Sequence, residues 1–179
     1  MTRRTVNLGM PLALACGLVL LSTNAAASQL SPAAVSARID SSSKTLAEVP
    51  IRTFGKSAAY CTAQHQPDGP PLDERLKNYS ADMSLGTRDA LLEITKTDTA
   101  FLKSVPTFDS KDFERMDKKA DTMLQSIRAA PAAGCAKLSA ILDEGTRAFF
   151  KELTLKSYRE YQTKRAQYCA AQPKSADCD

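Results

Sequence analysis

Apolar residues recur along this chain at three- and four-residue intervals, the period of a helix with one buried face. Ser31-Pro32 is a helix start, a hydroxyl cap followed by proline at the first turn, and Val35, Ile39, Leu46 and Val49 follow at helical spacing, with Ser42 in the gap. Pro50 marks a break or a fresh start. Ile51, Phe54, Ala58 and Cys61 then predict a second helix over Pro50–Gln64, with a short strand at Ile51–Phe54 as the weaker alternative. Pro67-Asp68-Gly69-Pro70-Pro71 is a rigid loop. Beyond it, Leu72, Leu76, Tyr79 and Met83 predict a third helix that Gly86 ends or kinks. Leu91, Ile94, Phe101 and Val105 predict a fourth, closed by Pro106. Asp109 or Ser110 caps a fifth, whose apolar face is Phe113, Met116, Ala120, Met123 and Ile127, and Pro131 ends it.

The last predicted element is the longest. From Ala132 to Ala171 there is no proline, and Cys135, Leu138, Leu142, Phe149, Leu153, Tyr161 and Tyr168 fall broadly on one side of a helical wheel. Glu152 precedes Lys156, and Glu160 precedes Lys164, by four residues, the favoured order for helix-surface ion pairs. No segment alternates convincingly as a strand. The expectation is an all-α fold, a compact bundle of five to seven helices with a long C-terminal helix, stapled by two disulfides.

The first thirty residues change the picture. Arg3 and Arg4 precede an apolar run from Met10 to Leu21, and Ala25-Ala26-Ala27 supplies a small-residue cleavage site before Ser28. This pattern predicts a signal peptide over 1–27; a membrane span needs about 20 apolar residues. The arginine pair partly matches a twin-arginine signal, but that route exports chains folded where disulfides rarely form. A lipid at Cys16 is disfavoured by Ala13-Leu14-Ala15 and by the apolar run continuing past it. The product is expected in the periplasm or secreted, as one helical domain over 28–179 with a disulfide-tethered tail over 168–179.

Removing the first 27 of 179 residues leaves 152, and the charge falls from +4 to +2, 22 basic against 20 acidic residues. At +2 no argument for nucleic-acid binding survives, and no later stretch predicts a stable membrane span. Cys61, Cys135, Cys169 and Cys178 remain, an even count that reads as two disulfides in an oxidising compartment. A zinc site is the alternative, but no two of them form a C-x-x-C pair and the chain has one histidine.

Two of the cysteines sit in a repeated phrase. Ala58–Gln64 and Ala166–Gln172 share A-x-Y-C-x-A-Q, each shortly before a proline, so each reads as the last turns of a helix near the bundle surface. Nothing outside these seven positions aligns at that offset, so chance in an alanine-rich chain is preferred to a true repeat. If Cys135 to Cys169 is one straight helix, its ends lie about 51 Å apart. Cys178 reaches at most about 32 Å from Cys169. Only Cys61–Cys135 with Cys169–Cys178 then survives, and a sharp kink at Gly145 reopens the other choices.

Candidate chemistry is sparse. His65 beside the proline-rich loop reads as an exposed loop histidine. Asp109, Asp112, Glu114, Asp117 and Asp121 cluster on the fifth helix, but Lys111, Arg115, Lys118 and Lys119 interleave with them as on a solvated face. The calcium-loop pattern D-x-D-x-D-G is absent, and Met116 and Met123 keep the core period. No cofactor, metal site or catalytic residue is expected. Asn78-Tyr79-Ser80 is a glycosylation sequon, irrelevant in a bacterial source. Tyr158, Tyr161, Arg165 and Tyr168 fall within a modest arc of the last helix and are the candidate partner-binding residues; the competing reading puts Tyr161 and Tyr168 in the core. The function expected is protein–protein binding by an exported helical protein of inhibitor, immunity or adaptor type, with another exported protein as partner. Alternatives are a small-molecule or lipid carrier and a hydrolase using acidic residues.

Overall fold

The structure, a computed structural model, describes residues 30–65, 67–173, 175 and 178; the expected signal segment lies outside the described residues. Five α-helices are present among them: α1 (Pro32–Ala63), α2 (Leu72–Ile94), α3 (Ser110–Ala129), α4 (Pro131–Glu144) and α5 (Arg147–Ala171). A single 3-10 turn, Ala100–Lys103, lies between α2 and α3, and there is no strand among the described residues. The fold is all-α with a long last helix and two disulfides, Cys61–Cys135 and Cys169–Cys178.

The first departure from the sequence pattern is Pro50. It does not break the chain: α1 runs 32 residues through it and is the longest helix, so the last element is not. Proline removes one backbone donor and crowds the carbonyl four residues back, that of Leu46. The carbonyl beside it, of Ala47, accepts the Ser80 hydroxyl of α2 at 2.6 Å, and Pro50 itself is buried. The Ser80 bond is thus made one residue beyond the carbonyl that lacks its backbone donor. No strand forms at Ile51–Phe54.

α2 runs antiparallel to α1. Asp40 accepts from Arg88 at 2.9 Å, Ala47 from Ser80, and at the far end Thr62 donates to Asp73 at 3.1 Å. Gly86 does not end α2; the helix continues to Ile94, so the predicted third and fourth helices are one helix and a 3-10 turn. The reason for glycine lies outside α2. A Cβ there would stand 2.3 Å from the Arg147 carbonyl oxygen and 2.9 Å from the Lys151 nitrogen, so α5 lies backbone-on-backbone across this point.

α3 begins at the predicted cap. The Asp109 side chain accepts from the Asp112 N–H at 2.9 Å, and Asp112 returns the bond to the Asp109 N–H at 3.0 Å, a reciprocal arrangement that satisfies two end donors. α3 runs parallel to α1, joined by Arg52 to Asp117 at 3.6 Å and by Lys56 to Asp121. Pro131 does not merely end α3; it occupies the first turn of α4, where its missing N–H costs nothing.

The predicted forty-residue terminal helix is two helices. Gly145 and Thr146 interrupt it, and Thr146 caps α5 by accepting from the Phe149 N–H at 3.2 Å. Gly145 packs under Tyr79 so closely that a Cβ would lie 2.0 Å from the ring. The break shifts the phase of the apolar stripe. Phe149 and Leu153, expected in the core, are 46 % and 45 % exposed, and Phe150 is buried instead. It also removes the straight helix on which elimination of the other disulfide pairings rests. Neither predicted ion pair of α5 is among the described ones; Glu152 lies 3.8 Å from Arg159 instead.

Two apolar clusters share α1 and α2. The first joins Ala58 and Cys61 of α1, Leu72 and Leu76 of α2, Ile127 of α3, and Cys135, Leu138 and Leu142 of α4. Cys61 has no exposed surface, so this helix-end cysteine is not near the surface. The second joins Ile39 of α1, Leu91 and Ile94 of α2, and Phe101, Leu102 and Val105 of the connection, with Leu155, Tyr158 and Tyr161 of α5 packed against it.

Two glycines on helices separate backbone propensity from packing. A Cβ added at Gly55 would meet nothing within 4 Å, and the backbone there is ordinary, so Gly55→Ala should raise unfolding stability by about 0.5–1 kcal/mol. Gly86→Ala should lower it by about 1–3 kcal/mol through overpacking. Urea unfolding of both variants measures the opposite signs; two gains of equal size would mean that α5 does not lie on Gly86.

Candidate functional site

The chemistry that α5 can offer depends on how it is held. Arg147 donates to Asp89 at 2.7 Å and Lys151 lies 2.7 Å from Glu93, both across a sequence gap of 58 residues, so α5 runs parallel to α2. On the next turns Tyr158 and Tyr161 reach Phe101, with ring centroids 5.0 and 5.3 Å away. Edge-on ring contacts of this kind contribute about 0.5–1.5 kcal/mol each beyond area burial. α2 is the helix that α5 packs against most extensively.

Of the four candidate partner-binding residues, the structure brings Tyr158 and Tyr161 together on Phe101, their own rings stacked at 6.5 Å. The Tyr158 hydroxyl donates to Asp98 at 3.3 Å and accepts from the Gln162 amide at 2.7 Å. Loss of solvation, and then the Asp98 charge, push its ionisation above the usual tyrosine range. Tyr168 lies apart, with its hydroxyl 3.3 Å from Ser175 Oγ in the tail. Arg165, between the two groups, is half-buried and engaged. All four lie on the side of α5 that carries Phe150 or close to it. Four partly buried side chains in two groups replace the single patch that their spacing suggests.

Sequence reading misses the exposed apolar pair. Phe149 and Leu153 are one turn apart and occupy the flank of α5 opposite Arg147 and Lys151. Across the seam Leu85 and Leu92 of α2 are 44 % and 37 % exposed, on the same side of α2 as Asp89. Their signal is present in the sequence, since Phe149 and Leu153 are large apolar residues. Without the break at Gly145, though, the pattern assigns both to the core. Phe150 of α5, by contrast, meets Phe149 and Tyr79 edge-on at 5.3 and 5.0 Å.

Most of the remaining candidates have structural partners. His65 is exposed in the turn after α1 with φ of 52°, its N–H bonded to the Thr62 carbonyl at 3.0 Å. Of the five acids, Asp109 and Asp112 form the cap of α3 and Asp117 and Asp121 pair with α1, while Glu114 is exposed; the Arg52 guanidinium also covers the Phe113 ring at 4.2 Å. Three carboxyls fall below their usual range: Asp89 and Glu93 chiefly through hydrogen bonds from Arg147 and Lys151, and Asp112 through the Asp109 N–H and then Arg115. Among the described residues no three potential ligands gather as for a metal ion, and no helix is long and apolar enough to cross a membrane. A shallow surface depression of about 280 Å³ is lined by Leu30, Arg38, Leu102 and Lys103. The chain matches no protein-family model, no curated protein and no solved structure.

The α2–α5 ion pairs predict a pH dependence. Asp89 and Glu93 are held below the ordinary carboxylate range, so their contribution to the seam is fully present above the unfolded value of about 4 and is lost as pH falls through the lower folded value. Measured against the intrinsic amide exchange rate at each pH, protection of α5 should therefore fall below about pH 4, more than that of α1. In D89N/E93Q this extra step should be absent. Identical acid responses of variant and native protein would show that the pairs do not hold the seam.

Proposed function

We propose that this is an exported, disulfide-stapled binding protein that engages another exported protein through α5. The observation that carries the reading is the burial of α5: of its 25 residues only Phe150 is buried, while Phe149 and Leu153 stand exposed one turn apart. A helix whose own fold covers so little of it, yet which is pinned along α2 by ion pairs and aromatic contacts, suits recognition by a partner groove. Apolar anchors at four-residue spacing are how such grooves read a helix. Two disulfides are compatible with a compartment outside the cytosol, and the signal-peptide pattern of residues 1–27 supports the same location.

Tyr158, Tyr161, Arg165 and Tyr168 enter this reading as the second group of contacts. With a register of 58 residues, α2 ends opposite Glu152, and the 3-10 turn covers Tyr158 and Tyr161. Arg165 and Tyr168, both half-buried, lie beyond both, next to the disulfide-tethered tail. Tyrosine and arginine are the residues most often found as interface anchors.

The test is capture of the mature protein's partner from an exported-protein extract under oxidising conditions, with native protein and with F149S/L153K. One stoichiometric protein should be recovered by the native chain and lost with the variant. The variant's thermal midpoint should stay within about 2 °C, as befits exposed positions. Equal recovery by both would remove α5 from the reading. A bound lipid with no protein partner would replace it with the carrier alternative.

A further inference from the structure

The two disulfides occupy opposite environments. Cys61 and Cys135 have no exposed surface, lie within the first apolar cluster, and join residues 74 apart. Cys169 and Cys178 are both partly exposed, lie nine residues apart, and belong to neither apolar cluster. The one buried residue of α5, Phe150, is more than five turns away near its other end. A thiolate must reach a sulfur atom to attack a disulfide, so access governs which bond of a folded protein exchanges.

We propose that Cys169–Cys178 is a thiol–disulfide exchange site for a dithiol reductant, while Cys61–Cys135 is inert to the same reductant in the folded protein. A thiolate of the reductant attacks one of the two outer sulfurs. The Cys169–Cys178 bond breaks, and its electron pair leaves on the other cysteine, which takes up a proton. The reductant's second thiol loses its proton, attacks the mixed disulfide and expels the first cysteine as a thiolate, which is protonated in turn. Two electrons and two protons have passed to the protein; the reductant is now a disulfide and the protein carries two thiols.

The consequence is confined to the end of the chain. The bond holds Cys178 against the last turn of α5, with Cα atoms 5.5 Å apart. That turn is otherwise closed by the Gln172 N–H on the Tyr168 carbonyl at 2.9 Å and by the contact of Tyr168 with Ser175. Reduction therefore releases Cys178 from the last turn of α5 and leaves both apolar clusters intact.

The experiment treats the folded mature protein with rising dithiothreitol, followed by rapid alkylation, peptide mapping and hydrogen exchange. Cys169 and Cys178 should be labelled at least about tenfold faster than Cys61 and Cys135. The helical circular dichroism should persist, and exchange should rise in residues 165–172 but not in α1 or α4. Oxidised glutathione should then restore the bond without unfolding. C169S/C178S should reproduce the exchange pattern, with a thermal midpoint within about 2 °C of native. Labelling of all four cysteines at one rate, labelling only on unfolding, or a large loss of stability in C169S/C178S would each overturn the proposal. None of these outcomes depends on whether a protein partner is found.

Discussion

A methyl group at position 86 would collide with another helix's backbone. Gly86 lies 2.3 Å, by the reach of an absent Cβ, from the Arg147 carbonyl, and α5 can lie this close to α2 only because nothing projects between them. That approach fixes the rest of α5. It brings Arg147 and Lys151 onto Asp89 and Glu93, and Tyr158 and Tyr161 onto Phe101. It seats Phe150 against Tyr79 and so turns Phe149 and Leu153 outward. The exposed ion pairs are individually weak, and the aromatic contacts are modest. Their common register, rather than any one of them, aligns α5.

The other end of the molecule is held differently. The first cluster closes around the Cys61–Cys135 bond, and four helices contribute to it. By chain-entropy reasoning a bridge spanning 74 residues is worth about 4–5 kcal/mol. Small and polar residues of α1 and α2 are buried as well, among them Ser43, Ser80, Thr87 and Ala90. Small side chains permit close helix approach, and Ser80 uses it to reach the Ala47 carbonyl. Ser42 and Ser57 of α1 are buried without a hydrogen-bond partner among the described residues, a cost of about 1–3 kcal/mol each that the surrounding packing must offset.

Much of this fold is legible in the sequence because helical periodicity is a local signal. The cap of α3 at Asp109 and the start of α1 at Ser31-Pro32 follow from side-chain chemistry within four residues. Pro50 misleads because a helix packed along its length can carry a proline without breaking. Gly86 misleads because its need for glycine arises from Arg147 of α5, about sixty residues away in sequence. Gly145 is the reverse case, a true break that the surrounding periodicity disguises as a tolerated glycine in a long helix. That one position decides whether Phe149 and Leu153 read as core or as surface. The candidate site suffers accordingly, since a helical wheel drawn through a break assigns the wrong face. Tyr158, Tyr161, Arg165 and Tyr168 look like one patch on the wheel because the wheel has no knowledge of Phe101 or of the tail.

The short link at Gly145 and Thr146 also bears on how such a surface can diversify. Adding or deleting one residue there would turn the following helix by about 100° about its axis, presenting a wholly different set of side chains. The same link is sealed under the Tyr79 ring and leads directly into the Gly86 contact, so any change of length would unseat Phe150. New surface chemistry is therefore open to this architecture by replacing residues on the outer flank, whereas length variation at the link is closed to it.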